Sequence, residues 1–329
     1  MTQVYITIDT EYSSGLVRTG SAAERAANFA ASIACAGPSG KAGDDAGVAH
    51  TLRVLEETGQ SAVFFVDPMP ALLWGAGAVE DVVGPILEAD QDVQLHLHTE
   101  WLRWAGDNHP LASRRMGQNL FDFPFEDQCA LIEYARAQLI AAGAPAPIAF
   151  RAGNYGANDD TLRALAELGI AYDTSHCPAL AGSASRISLG SRDREPAPHH
   201  GVIEVPVASI KAMGGTGQRH GQITALSLAE MRAAIRHARD NRRAAFTLVS
   251  HSFELFSRSK GVVKHLVRRR FDGLCAFLRD TPGVSSATYR DHPPQTRASS
   301  QPVDLLPASP LRTGARVAEQ ALANALYGQ

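Results

Sequence analysis

Cysteine is scarce: the 329 residues hold four, Cys35, Cys129, Cys177 and Cys275, scattered and without a CxxC pair. That spacing excludes a disulfide framework or a zinc ribbon and leaves small buried thiols as the expectation. No uninterrupted apolar run is long enough to span a bilayer. Met1-Thr2-Gln3-Val4-Tyr5-Ile6 enters a strand directly, with no basic region, apolar core or cleavage site before it. The expectation is therefore cytoplasmic residence, given an authentic start. An excess of basic charge is missing too. Lys plus Arg number 31 against 34 Asp plus Glu, a formal charge of −3. The basic run Arg268-Arg269-Arg270 falls in a helical stretch, where it reads as a solvated face, so no nucleic-acid partner is expected. What is present is a 45% hydrophobic, 20% charged composition, typical of a globular protein with ample core material.

Strand-like and helix-like segments alternate along the chain. Strands are expected at Val4–Ile8, Ser61–Val66, Val93–His98, Pro147–Arg151, Ile170–Tyr172, Gly201–Val205 and Ala245–Ser250. Helices are expected at Val48–Thr58, closed by Gly59, and near Gly77–Ala89, Asp127–Ala142, Asp160–Leu168, Leu228–Asn241 and Gly261–Arg279. Strands joined by helical crossovers imply a parallel sheet, and the right-handed crossover rule makes a wound sheet or barrel the natural closure. The chain therefore divides into an α/β barrel over residues 1–292, a Pro/Ser-rich linker over 293–312 and an Ala-rich helix over 313–329.

The chemistry collects where these strands end. Ile6-Thr7-Ile8 runs into Asp9-Thr10-Glu11, and residues two apart on extended chain face the same side, so both carboxylates can address one site. Leu95-His96-Leu97-His98 puts two imidazoles on one face, followed by Glu100. His96, His98 and Glu100 follow one another along that face, and if the chain coils after His96, Glu100 can replace His98 as third ligand; a mixed nitrogen and oxygen set suits zinc or a similar divalent ion. Arg151, ending Ile148-Ala149-Phe150, needs an anionic partner. Asp173 and His251 close two further strands, and a histidine beside acids is the usual general acid near neutral pH. Trp101 and Trp104 offer an apolar platform for a sugar ring. Parallel sheets gather their strand ends on one face, so these residues are expected to converge.

Six segments in order resemble the polysaccharide deacetylases, the NodB-homology group of carbohydrate esterases. They are Thr7-Ile8-Asp9-Thr10-Glu11, Ala62-Val63-Phe64-Phe65-Val66, Val93-Gln94-Leu95-His96-Leu97-His98, Phe150-Arg151-Ala152-Gly153-Asn154-Tyr155, Ile203-Glu204-Val205-Pro206 and Val249-Ser250-His251. The resemblance implies a distorted (β/α) barrel of about seven parallel strands, a bound divalent metal, most simply Zn2+, and hydrolysis of an N-acetyl group on a sugar or polysaccharide precursor. It implies Asp9 as base, Glu11 and His96 as ligands, Arg151 as the partner orienting Asp9, His251 as acid and Asp173 as the group tuning His251. Asn154 and Tyr155, in the loop after Arg151, are expected to touch substrate.

The chain departs from the family pattern in four places, one being that the Asp-Trp of the fourth motif is not evident. Glu11 stands where many members carry aspartate, His98 falls between His96 and Glu100, and the arginine motif has Gly153-Asn154 in place of a proline. Two alternatives remain open: a non-catalytic barrel binding glycan or a partner, and a hydrolase of another non-peptide C–N amide bond. The Gly- and Ala-rich stretch from Ser13 to Gly47 follows Asp9 and Glu11 at once, and is expected to act as a lid or specificity loop.

Overall fold

In the computed structural model, the described residues are 2–36, 46–107, 109–114, 117–214, 217–296 and 303–327. The elements in chain order begin with β1 (Thr2–Thr10), α1 (Ala22–Phe29), α2 (Val48–Thr58), β2 (Val63–Val66), α3 (Ala71–Trp74), α4 (Gly77–Glu88) and β3 (Asp92–Leu97). Next come α5 (Phe125–Ala141), β4 (Ala149–Ala152), α6 (Asp159–Glu167), β5 (Tyr172–Asp173), β6 (Ala197–His199), β7 (Val202–Glu204), β8 (Ser209–Lys211) and β9 (Gln218–His220). The chain ends with α7 (Leu228–Asp240), β10 (Ala245–His251), β11 (Phe256–Ser257), β12 (Val262–Val263), α8 (His265–Arg279), β13 (Val284–Ser286) and α9 (Pro310–Tyr327).

Seven parallel strands curl in the order β10-β1-β2-β3-β4-β5-β7. At one end β6 pairs antiparallel with β7, while β13 runs parallel beside the start of β1. Among the described residues, no eighth strand closes the ring. Instead the chain after β7 reaches β10 through an isolated parallel bridge between Val207 and Thr247, and the Ala208 amide donates to the Thr247 carbonyl at 2.9 Å. The architecture is thus a distorted α/β barrel, as the alternation of elements implied.

The strand period of two decides what lies inside. On β1, Val4, Ile6 and Ile8 face the surrounding helices in the main core, whereas Tyr5 faces the barrel interior with Val63, Phe65, Ala149, Val205, Ala245 and Tyr289. Tyr289 is the hub of this inner plug, its ring centroid 5.4 Å from Tyr5, 6.0 Å from Phe65 and 5.5 Å from Tyr172. Thr7, Asp9 and then Glu11 continue the inner face of β1 above the plug. Each β1 carboxylate is therefore delivered by the same alternation that builds the core.

Several expectations need correction. The Ser13–Gly47 stretch is not featureless: it contains α1, with Ser21 capping it by accepting from the Glu24 amide at 3.2 Å, and a π-helical turn over Ala30–Ala34. Residues 37–45, which belong to the expected lid, lie outside the described residues. The final helix starts at Pro310 rather than 313 and docks on the barrel, Glu319 accepting from Arg270 at 2.8 Å and Glu230 from Arg316 at 3.3 Å. Among the described residues, no helix is long and apolar enough to cross a membrane.

Candidate active site

Two strand ends, those of β1 and β3, bring Glu11, His96 and His98 together. Glu11 Oε2 lies 3.2 Å from His96 Nε2 and 2.7 Å from His98 Nε2. The other ring nitrogens fix what those atoms are. His96 Nδ1 sits 2.7 Å from the Arg151 carbonyl, which can only accept, so Nδ1 carries the proton and Nε2 a lone pair. His98 Nδ1 likewise donates to Glu100 Oε2 at 3.0 Å. Both Nε2 atoms therefore face one buried carboxylate oxygen, with each Nδ1 proton already committed to its own acceptor. Such an arrangement calls for positive charge between the three atoms, supplied by a proton on a ring or, where both rings are neutral, by a divalent cation. Burial opposes charging His98, but Glu11, Glu100 and Asp67 outweigh it and raise its pKa well above the usual imidazole range.

The structure places Glu100 behind His98 rather than among the converging atoms. Its Oε2 orients the His98 ring, and its Oε1 accepts from Asn154 Nδ2 at 3.2 Å. Gly153 is required by this arrangement, because a Cβ there would lie 2.7 Å from His98 Nδ1. Asn154 and Tyr155 follow in left-handed backbone, with φ of 58° and 56°. Two consecutive non-glycine residues in that region store strain, as chain segments at functional sites often do. Asn154 is exposed at this edge, while Tyr155 packs against Cys177, Val207 and Val249.

Asp9 occupies the second half of the site. Its Oδ1 accepts from the Arg151 guanidinium at 2.5 Å, and the same guanidinium donates to the Thr7 hydroxyl at 2.8 Å. Arg151 is fully buried, with its guanidinium carbon 4.5 Å from the Phe65 ring centre. Opposite stands His251, its Nε2 3.9 Å from Asp9 Oδ2 and its Nδ1 bonded to Glu254 Oε1 at 3.0 Å. Burial works against the charged ring, yet the Glu254 hydrogen bond and charge, then Asp9 and Glu11, raise its pKa to about 9.

Two functional expectations do not survive. Asp173 does not tune His251: both its oxygens accept from Ser175, the amide at 2.9 Å and the hydroxyl at 2.8 Å, and it neighbours Glu204. Burial first, and then the nearby Asp173, raise the pKa of Glu204 well above the carboxylate range, so a proton resides on this pair. Trp101 is not a sugar platform, because it is fully buried with its ring centroid 5.5 Å from Trp74 in an edge contact. Trp104 is partly buried against the core beside the Arg103 guanidinium.

Two contributors, Glu254 and Asp67, and one structural acid, Glu204, were missed. Glu254 takes the role assigned to Asp173 and is itself clamped: it accepts from Gln222, Thr224 and Ser250. Its signal was the His251-Ser252-Phe253-Glu254 spacing. Asp67, directly after β2, accepts from the Met69 amide at 3.1 Å and the His98 amide at 3.4 Å, with Oδ2 buried and unpartnered. Burial, offset by His98 and His96, raises its pKa to about 6. Glu204 was visible as another acid at a strand end.

Known structures share this fold. A protein described as a polysaccharide deacetylase from Mycobacterium smegmatis aligns over 92% of this chain and 94% of its own, with a TM-score of 0.53 at 18% identity. A 4-alpha-glucanotransferase from Thermococcus litoralis aligns over 93% of this chain and 41% of its own, with a TM-score of 0.50 at 13% identity. A family 4 carbohydrate esterase from Streptomyces lividans aligns over 90% and 97%, with a TM-score of 0.42 at 12% identity. No family model and no curated protein matches the sequence. The chain therefore has the barrel fold of the polysaccharide deacetylases at a large sequence distance.

Proposed function

We propose that the protein is a divergent polysaccharide deacetylase of the NodB-homology group, a metal-dependent hydrolase that removes an N-acetyl group from a sugar or a polysaccharide precursor. One observation carries this reading: two oriented imidazole Nε2 atoms and a buried carboxylate oxygen converge beside an arginine-held aspartate and a cationic histidine. Glu11, His96 and His98 would hold the ion, which supplies Lewis-acid polarisation of an acyl oxygen and acidifies water.

Asp9, oriented by Arg151, takes a proton from the attacking water as its oxygen bonds to the acyl carbon. His251, charged through its contact with Glu254, gives the Nε2 proton to the departing nitrogen as the C–N bond breaks. Acetate and a free amine result. Glu100 and Asp67 act on the imidazoles from outside, Glu100 through the His98 ring and Asp67 through the His98 amide. The proposal extends to a cytoplasmic location and a soluble or lipid-linked sugar precursor, supported by four free cysteines, three of them buried.

The test is metal content of the purified protein and of His96→Ala, His98→Ala and Glu100→Ala, followed by acetate release from N-acetylated sugars. About one equivalent is expected in the site, lost in His96→Ala and His98→Ala and retained, with weaker affinity, in Glu100→Ala. No metal at this site after reconstitution with zinc would leave a glycan- or partner-binding barrel as the better reading.

A further inference from the structure

A second set of metal-type donors lies outside the barrel, where α6 meets the β6–β7 hairpin. Asp159, His199 and His200 each offer one donor atom, and the three atoms lie within 4.8 Å of one another. His200 Nε2 is 3.2 Å from Asp159 Oδ2, and His199 Nε2 is 3.7 Å from Asp159 Oδ1. Donors about 2.0–2.1 Å from a tetrahedral zinc are about 3.3–3.4 Å apart, and the two histidine–carboxylate spacings, each to its own Asp159 oxygen, lie near that value.

The backbone holds the donors there. His200 and Gly201 are the two central residues of the hairpin turn, with φ of 46° and 90°. Positive φ at both positions defines the turn favoured in two-residue hairpins, where Asn or Gly is the usual first residue. A histidine at that place breaks the local preference, which natural chains do chiefly where a side chain is used. Asp159 is fixed by the Ser188 amide, which donates to Oδ1 at 2.8 Å, and the Ser188 hydroxyl stands 3.2 Å from His199 Nε2. His200 Nε2 is shielded from solvent and makes no hydrogen bond, although the ring as a whole is partly exposed.

We infer that Asp159, His199 and His200 form a second binding site for a divalent transition-metal ion of the zinc class, separate from the strand-end site, with a fourth position left to water or an outside donor. Two imidazoles and a carboxylate select zinc, nickel, copper or cobalt over calcium and magnesium. The ion would pin the start of α6 to the hairpin. Asp159 is only four residues beyond Tyr155, so the clamp steadies the far end of the loop that carries Gly153 and Asn154.

The test uses the full chain with the strand-end site disabled by Glu11→Gln and His96→Ala, and zinc or cobalt alone as the probe. That variant is expected to retain about one equivalent of zinc and, with cobalt, a visible d–d absorption band. Adding Asp159→Asn, which keeps the acceptor for the Ser188 amide, should abolish the band and lower zinc affinity more than tenfold. His200→Asn suits the same turn and should do likewise without harm to folding. Zinc absent from the disabled variant, or bound equally well after Asp159→Asn and His200→Asn, would overturn the inference. In the otherwise wild-type chain, Asp159→Asn/His200→Asn should bring total zinc from about two equivalents to about one, so failure at either site is read separately.

Discussion

Two pairs of carboxylates are buried at strand ends of the same barrel, and they differ in what faces them. Asp9 and Glu11 meet an arginine, two oriented imidazoles and a charged histidine. Asp173 and Glu204 meet chiefly each other, a serine and backbone amides. The first pair is built to work with positive charge, whereas the second keeps a proton that compensates for burial. Position at a strand end thus supplies an acid to the site, but its partners decide its chemistry.

Removing the cation is the strongest way to break the contrast. Arg151→Ala strips Asp9 of its partner, leaves a void under Phe65 and removes the nearest positive charge from Asp173 and Glu204. Loss of one member of a buried pair costs about 3–5 kcal/mol. Denaturant unfolding should show a drop of that order, and hydrolysis should be lost even where the protein remains folded.

Glu254→Gln tests the cationic histidine more gently. With Glu254 in place, His251 stays charged up to about 9. Its folded pKa is raised, so its contribution to stability is fully present below the ordinary imidazole value and is lost as pH rises through about 9. The variant should move the alkaline limb of the rate profile down toward the ordinary imidazole range, with activity at pH 8 falling roughly tenfold. An unmoved limb would assign the acid elsewhere.

Glu204→Gln should have the smallest effect. Because the folded pKa of Glu204 is raised, stability is greatest below the unfolded carboxylate value and declines as pH climbs through the folded one. An amide of the same shape removes that decline, so the variant should hold its stability at pH 8 as well as the parent or better, with metal content unchanged. Greater sensitivity of the variant to alkali would mean that Glu204 is charged in the native protein.

The main outline of the barrel was legible because period-two burial and helical crossovers are local patterns, written in segments such as Val63-Phe64-Phe65-Val66. The convergence of Asp9, Glu11, His96, His98, Arg151 and His251 was legible for the same reason: each ends a buried strand. What escaped depends on partners delivered by loops. Glu254 reaches His251 through a turn, and Ser175 captures Asp173 two residues on, before the aspartate can extend elsewhere. The short strands β6, β8 and β9 carry too few residues for a periodic signal. Trp101 was misjudged because a 3-10 turn over Thr99–Trp104 sends it back into the core.

Arg151 serves both halves of the site with different parts of one residue. Its guanidinium holds Asp9, and its main-chain carbonyl sets the proton and the orientation of His96. Any tremor of this peptide therefore carries Asp9 and His96 in the same direction. Their separation should fluctuate less than either does against the surrounding barrel. Where an ångström of misplacement can cost about a hundredfold in rate, such shared anchoring gives a seven-stranded, imperfectly closed barrel the tolerance of a stiffer one.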